Sequence, residues 1–215
     1  MGKRSNPKMG KRPNPLKSKS AAVILAAGAS TRMGRPKALL MWRGGSLLSF
    51  LSDCYRSAGC GWLVVVTAEP HYDLVEAEAG SIPSTLVVRN SDPSRGMLSS
   101  LQLGIRTALE AGAERVAFGP VDLPLSGPES VRAVLREPGD WVVPVSGGRS
   151  GHPAVLSLAA CVALVDATPL QSPRDVLAPF RQVEVPVLDP GVVGNLNTPA
   201  DLERWRQRSG EQDSI

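Results

Sequence analysis

The sequence predicts an α/β fold of three layers, in which a mostly parallel, Rossmann-like sheet is covered by helices on both faces. From residue 21 onward, short apolar runs rich in β-branched residues alternate with segments of helical period. This alternation is typical of a parallel sheet that is buried on both sides. A glycine-rich turn follows the first run directly, and ligands of such sheets bind beyond the carboxyl ends of the strands.

Strands and helices are predicted in alternation along the chain. The apolar runs predict six strands, at 22–25, 62–67, 85–88, 115–118, 141–145 and 183–187, and a further short strand at 154–156. The helical periods between them predict six helices, at 47–57, 72–79, 98–111, 128–136, 159–166 and 199–206. The last helix has a clear start, because Thr198 can cap it with Pro199 at its first position and Asp201 in its first turn.

The charge distribution divides the 215-residue chain into a tail and one domain. Residues 1–20 hold seven of the 24 lysines and arginines and no acid, which leaves 17 basic against 20 acidic residues, a formal charge of −3. We therefore expect a disordered basic tail at 1–20, one domain at 21–208 and a flexible C-terminus at 209–215. Weak contact of the tail with nucleic acid is one alternative, and Met9 as the true start is another. The acidic remainder disfavours nucleic-acid binding by the domain.

Other composition features narrow the class of protein. No apolar run approaches the roughly 20 residues of a membrane span, and no signal-peptide core is present, so we expect a cytoplasmic protein without a membrane partner. Cys54, Cys60 and Cys161 show no Cys-x-x-Cys spacing and are expected to be buried, inert thiols. With His71 and His152 as the only histidines, a histidine-based metal site is not expected.

The glycine-rich turn spans Leu25 to Lys37 and predicts a polyphosphate site. Its glycines, Gly28 and Gly34, allow positive φ and close approach of backbone N–H groups to anionic oxygens, while Arg32 and Lys37 supply positive charge. The spacing fits neither a P-loop, which needs four residues between its glycines and then Lys-Ser or Lys-Thr, nor a Rossmann fingerprint.

A candidate metal ligand follows the strand at 115–118. Asp122 stands at the end of this strand between Pro120 and Pro124, which suits a hard cation such as Mg²⁺. The alternative role, capping the next helix, is better served by Ser126. Metal binding is therefore the favoured interpretation of Asp122.

Two further segments carry polar side chains near strand ends. Asn195 and Asn197 alternate along an extended stretch and so face one side, where an amide oxygen could join Asp122 on a cation. Ser99 and Ser100 stand at the start of the helix predicted at 98–111. Helix capping accounts for one of the two serines, and contact with a nucleobase or ribose could account for the other.

Together these segments resemble the nucleotidyltransferases of molybdenum cofactor biosynthesis, and most of all their cytidylyltransferase members. The resemblance covers about residues 21–206. It is carried by the opening loop, Asn90 with Gly96-Met97 and Ser99-Ser100-Leu101, Asp122 with Pro124, Gly148-Arg-Ser-Gly-His-Pro153, and Asn197-Thr-Pro-Ala-Asp-Leu202.

The resemblance implies a Mg²⁺-dependent transfer of a nucleoside monophosphate from CTP or GTP, with CTP favoured, to a phosphorylated acceptor such as molybdopterin, releasing pyrophosphate. It implies catalytic roles for Arg32, Lys37 and Asp122, Mg²⁺ on Asp122 and Asn197, and a base contact from Ser100. The nucleotide-binding residues it implies are Leu25, Ala26, Ala27, Gly28, Ser30, Arg32, Gly34, Lys37 and Ser100. Contacts to the acceptor are expected from Arg149, His152 and Asn195, although His152 equally suits a turn before the strand at 154–156.

Two departures from that family's motifs leave the identity of the nucleotide and of the acceptor undecided. Where the cytidylyltransferases usually have Asp-x-Asp-Thr-Pro, this chain has Asn195-Leu-Asn197-Thr-Pro, which is nearer to the guanylyltransferases. Where they tend to have Gly-Asp-x-Gly-Ala-Arg, it has Gln171-Ser-Pro-Arg-Asp-Val-Leu177. Transfer of a guanylyl group, or transfer to a sugar or alcohol phosphate, therefore stays an alternative. A nucleotide-binding regulatory module is the non-enzymatic alternative. A molybdoenzyme or its chaperone is a further candidate partner.

Overall fold

A computed structural model describes residues 18–28, 30, 33–168 and 171–209. Strands alternate with helices through these residues. The strands are β1 (Ser20–Leu25), β2 (Met41–Trp42), β3 (Gly45–Ser46), β4 (Trp62–Thr67), β5 (Thr85–Arg89), β6 (Arg115–Pro120), β7 (Trp141–Ser146), β8 (Arg149–Ser150), β9 (Ala154–Ser157) and β10 (Gln182–Pro186). The α-helices are α1 (Leu47–Ala58), α2 (Tyr72–Gly80), α3 (Met97–Glu110), α4 (Glu129–Arg136), α5 (Leu158–Asp166), α6 (Pro173–Leu177) and α7 (Pro199–Ser209).

One eight-stranded sheet forms the middle of the domain. Its strand order is β10-β7-β9-β6-β1-β4-β5, with β8 paired to β7, while β2 and β3 form a separate hairpin. The pairs β1–β4, β1–β6, β4–β5 and β7–β10 are parallel, and β9 runs antiparallel to both β6 and β7. In the centre, Leu25 at the end of β1 pairs with Val66 and Pro120. The predicted mostly parallel sheet is therefore confirmed.

Helices cover both faces of this sheet, as the alternation predicts. In β1, Ala22 and Ile24 belong to one buried cluster and Ala21, Val23 and Leu25 to another. The first cluster includes side chains of α1, α2 and α4, and the second includes side chains of α3, α5 and α6. Because successive strand residues point to opposite faces, a strand packed on both sides must be apolar throughout. The three-layer architecture is confirmed.

Several local elements differ from the prediction. Ser126 does not cap α4, whose N-cap is Pro128 without a side-chain bond; its backbone N–H and hydroxyl both donate to the Asp189 carboxylate at 2.9 Å. The hairpin of β2 and β3 and the short helix α6 were not predicted. β1 begins at Ser20, one residue before the expected domain boundary, while 1–17 and 210–215 lie outside the described residues.

None of the helices in the described part of the chain has the length and apolar composition of a membrane span.

Gly104 allows α3 to pack closely on the sheet. A Cβ atom at Gly104 would clash with Val23 Cγ1 and lie 2.9 Å from Val66 Cγ2, both on central strands. We therefore expect Gly104→Ala to lower the free energy of unfolding by about 1–3 kcal/mol, because the overpacking outweighs the better helix propensity of alanine.

Chemical denaturation of the two proteins measures this difference. Gly80→Ala at the end of α2 is the matched control, since no described atom lies within 4 Å of a Cβ atom placed there. This control should leave stability unchanged or raise it slightly. An equal effect of the two substitutions would contradict the close packing of α3.

Candidate active site

A cavity of about 460 Å³ opens at the carboxyl ends of the central strands β1 and β6. It is lined by the loop after β1, the segment around Lys37, the start of α3, the loop after β6, and Asn197 just before α7. The predicted site residues that line it are Leu25, Ala26, Ala27, Gly28, Ser30, Lys37, Ser100, Asp122 and Asn197. Residues from distant parts of the sequence therefore meet at the edge where ligands of parallel sheets bind.

Ser30 shapes the loop after β1. Its φ is 51°, and its carbonyl accepts a hydrogen bond from Met33 N–H at 2.9 Å. Its hydroxyl accepts the N–H of Lys37 at 3.3 Å. Ser30 therefore links the first part of the loop to Lys37, and both residues line the cavity.

Gly34 adopts the positive φ that a glycine allows, whereas Gly28 does not. Gly34 has a φ of 68°, whereas Gly28 is not among the residues with positive φ, and Ser30 adopts the left-handed conformation instead. Gly28 lines the cavity and Gly34 does not. The predicted phosphate-binding Arg32 lies outside the described residues.

Lys37 lies between the two residues that the sequence predicts as metal ligands. It begins a short 3-10 helix, Lys37–Leu39. Its Nζ donates to Asp122 Oδ2 at 2.6 Å and to Asn197 Oδ1 at 2.8 Å. The Lys37 and Asp122 side chains are only 16% and 14% exposed. An ammonium group thus occupies the point where the Asp122 carboxylate and the Asn197 amide converge.

Backbone hydrogen bonds position Asp122 and Asn197, whose side-chain oxygens face Lys37. Val121 N–H donates to Leu25 O at 3.0 Å, which ties the loop after β6 to β1, and Leu196 N–H donates to Asp122 O at 3.0 Å. Asn197 is fixed from the other side by Asp201, whose Oδ2 accepts from the N–H groups of Asn197 and Thr198 at 3.2 and 3.0 Å. The predicted cap of α7 therefore also orients the residue that enters the cavity.

The site has the donor chemistry of a Mg²⁺ site that a nucleotide completes. Asp122 Oδ1 is buried and has no hydrogen-bond partner among the described residues, a costly arrangement unless a cation or donor reaches it. Within the same residues, no group of three or more His, Cys, Asp or Glu side chains could hold a metal alone. Mg²⁺ commonly takes one or two carboxylates together with phosphate oxygens and water. Asp122 and Asn197 fit that pattern.

Asn90 and two serines form a neutral polar cluster on the other side of β1. Asn90, which follows β5, is buried, and its Nδ2 donates to Ser99 Oγ at 3.0 Å and to Ser100 Oγ at 2.8 Å. Ser99 in turn donates to Gly96 O at 2.8 Å, which satisfies it within the first turn of α3. Ser100 is buried and lines the cavity.

The three residues expected to contact the acceptor do not line the cavity. Arg149 is exposed in β8, and Asn195 is exposed before Leu196. His152 packs edge-on against the Phe118 ring, with the ring centroids 5.5 Å apart. Burial lowers the pKa of His152 below its ordinary value, opposed by a hydrogen bond with the Phe118 backbone and by the Asp122 charge. The acceptor-binding roles of these residues stay predictions.

The cysteines are buried free thiols, as predicted. Burial raises the pKa of Cys54, Cys60 and Cys161 to about 12, with nearby charges modulating Cys54. Each thiol is therefore protonated near neutral pH and is a poor nucleophile.

Sequence reasoning missed the positioning roles of two residues. The prediction for Asp201 covers only its place in the first turn of the last helix. The spacing Thr198-x-x-Asp201 is also that of a capping box, in which the carboxylate reaches back to backbone N–H groups before the helix. Asn90 carried part of the family resemblance without a structural role. A single buried asparagine after a strand has no sequence signal that predicts its partners.

The chain is similar to known proteins over most of its length. A family model described as a MobA-like NTP transferase domain matches residues 22–185. The molybdenum cofactor cytidylyltransferase of Escherichia coli K12 is 25% identical, covering 88% of this chain and 96% of that protein. A protein of Mycobacterium avium named "Probable molybdenum cofactor guanylyltransferase" is 30% identical, covering 87% of this chain and 95% of that protein.

A solved structure shows the same fold. A nucleotidyl transferase from Methanothermobacter thermautotrophicus superposes with a TM-score of 0.74 at 23% identity, covering 88% of this chain and 97% of that chain. The arrangement of sheet and helices is therefore shared with a known structure.

Proposed function

Because the chain belongs to the MobA-like NTP transferase family, we propose that it moves a cytidylyl group from Mg²⁺-bound CTP to a phosphorylated acceptor, molybdopterin or its molybdenum-containing form. Pyrophosphate is the second product. The acceptor is proposed from the names of the two relatives, whose full length this chain nearly spans.

One observation carries the assignment of the reacting centre. Lys37 Nζ lies 2.6 Å from Asp122 Oδ2 and 2.8 Å from Asn197 Oδ1, beside the loop after β1. A mobile cation next to two oxygen donors for a metal is the equipment that phosphoryl transfer needs, because catalysis there consists mainly of positioning and charge neutralisation. Ser30 supports the placement of Lys37, because its hydroxyl accepts the Lys37 backbone N–H at 3.3 Å.

The chain contributes positioning and positive charge to the proposed transfer. An oxygen of the acceptor phosphate bonds to the α-phosphorus of CTP, and the bond from that phosphorus to the bridging oxygen of pyrophosphate breaks. The nucleophile is already anionic, so no general base is needed. Lys37 and Arg32 would neutralise the pyrophosphate that leaves. Asp122 and Asn197 would hold the metal, which would supply charge neutralisation on the phosphates.

Guanylyl transfer is the second candidate. It is favoured by the segment Asn195-Leu-Asn197-Thr-Pro, which carries amides where the cytidylyltransferase pattern has carboxylates, and by the 30% identity to the M. avium protein. In both candidates the phosphates take the same place beside Lys37. The two differ in the base alone.

Pyrophosphate release measures the proposed reaction. We would incubate the protein with Mg²⁺, purified molybdopterin or its molybdenum form, and each of CTP, GTP, ATP and UTP in turn. We expect release with CTP that requires both the acceptor and Mg²⁺. Acceptor-dependent release of pyrophosphate from GTP alone would select guanylyl transfer. If none of the four nucleotides released pyrophosphate, transfer to these acceptors would be refuted.

The neutral amide at Asn197 should weaken the metal site relative to a site with two carboxylates. We expect Asn197→Asp to tighten Mn²⁺ binding in the presence of CTP by about 10-fold, because ligand charge raises affinity for a hard cation. Mn²⁺ titration followed by electron paramagnetic resonance measures this affinity. Asn195→Asp adds the same charge two residues away, outside the cavity lining, and should change little. An unchanged or lower affinity in Asn197→Asp would contradict the assignment of Asn197.

A further inference from the structure

The hydrogen-bond polarity of Ser100 is set by its neighbours. Asp92 N–H can only donate, and it donates to Asn90 Oδ1 at 3.0 Å. The amide group of Asn90 therefore faces Ser99 and Ser100 with Nδ2, and both serine oxygens accept from it.

This network leaves one donor without a partner. The Ser99 hydroxyl donates a hydrogen bond to Gly96 O. The Ser100 hydroxyl accepts from Asn90 and donates to no acceptor among the described residues. A serine hydroxyl that accepts one strong bond keeps its own O–H to give. Because Ser100 is only 5% exposed and lines the cavity, that hydrogen is available to a ligand inside it.

The strand order separates this donor from the ionic part of the site. Asp122 follows β6 on one side of β1, whereas Asn90 and α3 follow β5, beyond β4 on the other side. The lining residues around Ser100, namely Pro93, Gly96 and Met97, carry no charge. A nucleotide whose phosphates lie beside Lys37 therefore has a neutral, partly apolar region for its base near Ser100.

We propose that Asn90 sets the polarity of the base contact that the family resemblance implies for Ser100. It holds the Ser100 hydroxyl as a donor, so that the site selects a base presenting an acceptor at this point. The inference rests on the proposed function in one respect, that an NTP occupies the cavity. Ser100 is the contacting residue and Asn90 a positioning residue. The selection follows from polarity, because a base with a donor at the same place would face a second donor.

Asn90→Asp tests the polarity directly. Aspartate has nearly the same shape, but both of its oxygens accept, so Ser100 must turn its hydrogen toward residue 90 and present an acceptor to the cavity. Cytosine and uracil have opposite polarity at ring positions 3 and 4, and guanine and adenine have opposite polarity at positions 1 and 6. Affinities for CTP, UTP, GTP and ATP, measured by calorimetry with Mg²⁺ and no acceptor, therefore report the polarity of the site.

We expect the wild-type protein to prefer one member of the CTP–UTP or GTP–ATP pair by about 10-fold or more. Asn90→Asp should remove or reverse that preference, and Ser100→Ala should remove it. Ser99→Ala, which removes the other hydroxyl on the same amide, should keep it. A general loosening of the fold would weaken both members of a pair equally, so the ratio isolates the proposed role.

The outcomes separate this inference from the proposed function. Nucleotide binding with the wild-type preference intact in Asn90→Asp or in Ser100→Ala would overturn the inference alone, as would a wild-type protein with no preference in either pair. If Asn90→Asp fails to fold, Asn90→Ala decides the matter, because it leaves the Ser100 hydroxyl free to rotate and should weaken the preference; an intact preference in this variant would overturn the inference. Binding of none of the four nucleotides would overturn the proposed function and this inference together.

Discussion

Asp122→Ala is expected to reduce nucleotidyl transfer by at least about 10³-fold while the protein stays folded, since the variant loses the only carboxylate among the described residues that line the cavity. Asp122 contributes two oxygens at the carboxyl end of the central strand β6. One contacts Lys37 and the other has no partner among the described residues. Without this carboxylate, neither the proposed metal nor the ammonium of Lys37 would have a fixed anion beside the phosphates.

The loss should come from chemistry and not from instability. The backbone of this loop is held by hydrogen bonds of Val121 N–H and Asp122 O, which the substitution leaves in place. Circular dichroism and thermal melting check the fold, and pyrophosphate release with the cognate nucleotide and acceptor measures transfer. Asp53→Ala removes an exposed carboxylate on α1 and is the matched control. Turnover of Asp122→Ala within about 10-fold of wild type would refute the assignment, given the size of effect expected for such a group.

Much of the fold is predictable because local pattern and global layering agree here. The strands β1, β4 and β6 are apolar almost throughout and lie in the middle of the sheet, where both faces are buried. The direction of β9 was not predictable, because an apolar run such as Ala154–Ser157 reads the same in either orientation. The two-residue strands β2 and β3 are too short to show any periodicity.

The candidate site was predictable where a residue type and its position after a strand together imply chemistry. Asp122 and Asn197 follow that rule, and the cavity brings them together. Ser126 shows where the rule fails. A serine before a helix usually caps it, but here the buried carboxylate of Asp189, more than 60 residues later, accepts both of its hydrogen bonds. Partners that are distant in sequence decide such cases.

The position of Lys37 was also beyond sequence reasoning, because a flexible side chain can serve phosphates or carboxylates equally well. The sequence predicts that Lys37 binds phosphate, and the structure places its ammonium on Asp122 and Asn197, the two residues proposed as metal ligands. These roles are compatible if Lys37 moves from Asp122 to the phosphates when a nucleotide binds. Before that, the lysine would compete with any divalent cation for the same oxygens.

Lys37→Met should therefore have two opposite effects. Transfer should fall by at least about 10²-fold, because the phosphates lose a positive charge in a largely desolvated site. Mn²⁺ binding without nucleotide should become tighter by about 10-fold or more, because Asp122 keeps its charge and loses its competing cation. Methionine has a similar length and stays apolar, so the cavity changes little in shape.

Electron paramagnetic resonance of Mn²⁺, titrated in the absence of nucleotide, separates the two effects. Lys19→Met is the matched control, since Lys19 forms an ion pair with Glu114 of the same 2.6 Å length, but on the surface, with the side chains 73% and 53% exposed. It should change neither transfer nor Mn²⁺ affinity, because solvent screens exposed pairs. Adding Asp122→Asn to Lys37→Met should abolish the gain in affinity. Equal Mn²⁺ binding by Lys37→Met and wild type would show that Lys37 does not compete with the metal for Asp122 and Asn197. The nucleotide would then not need to displace Lys37 before a metal enters.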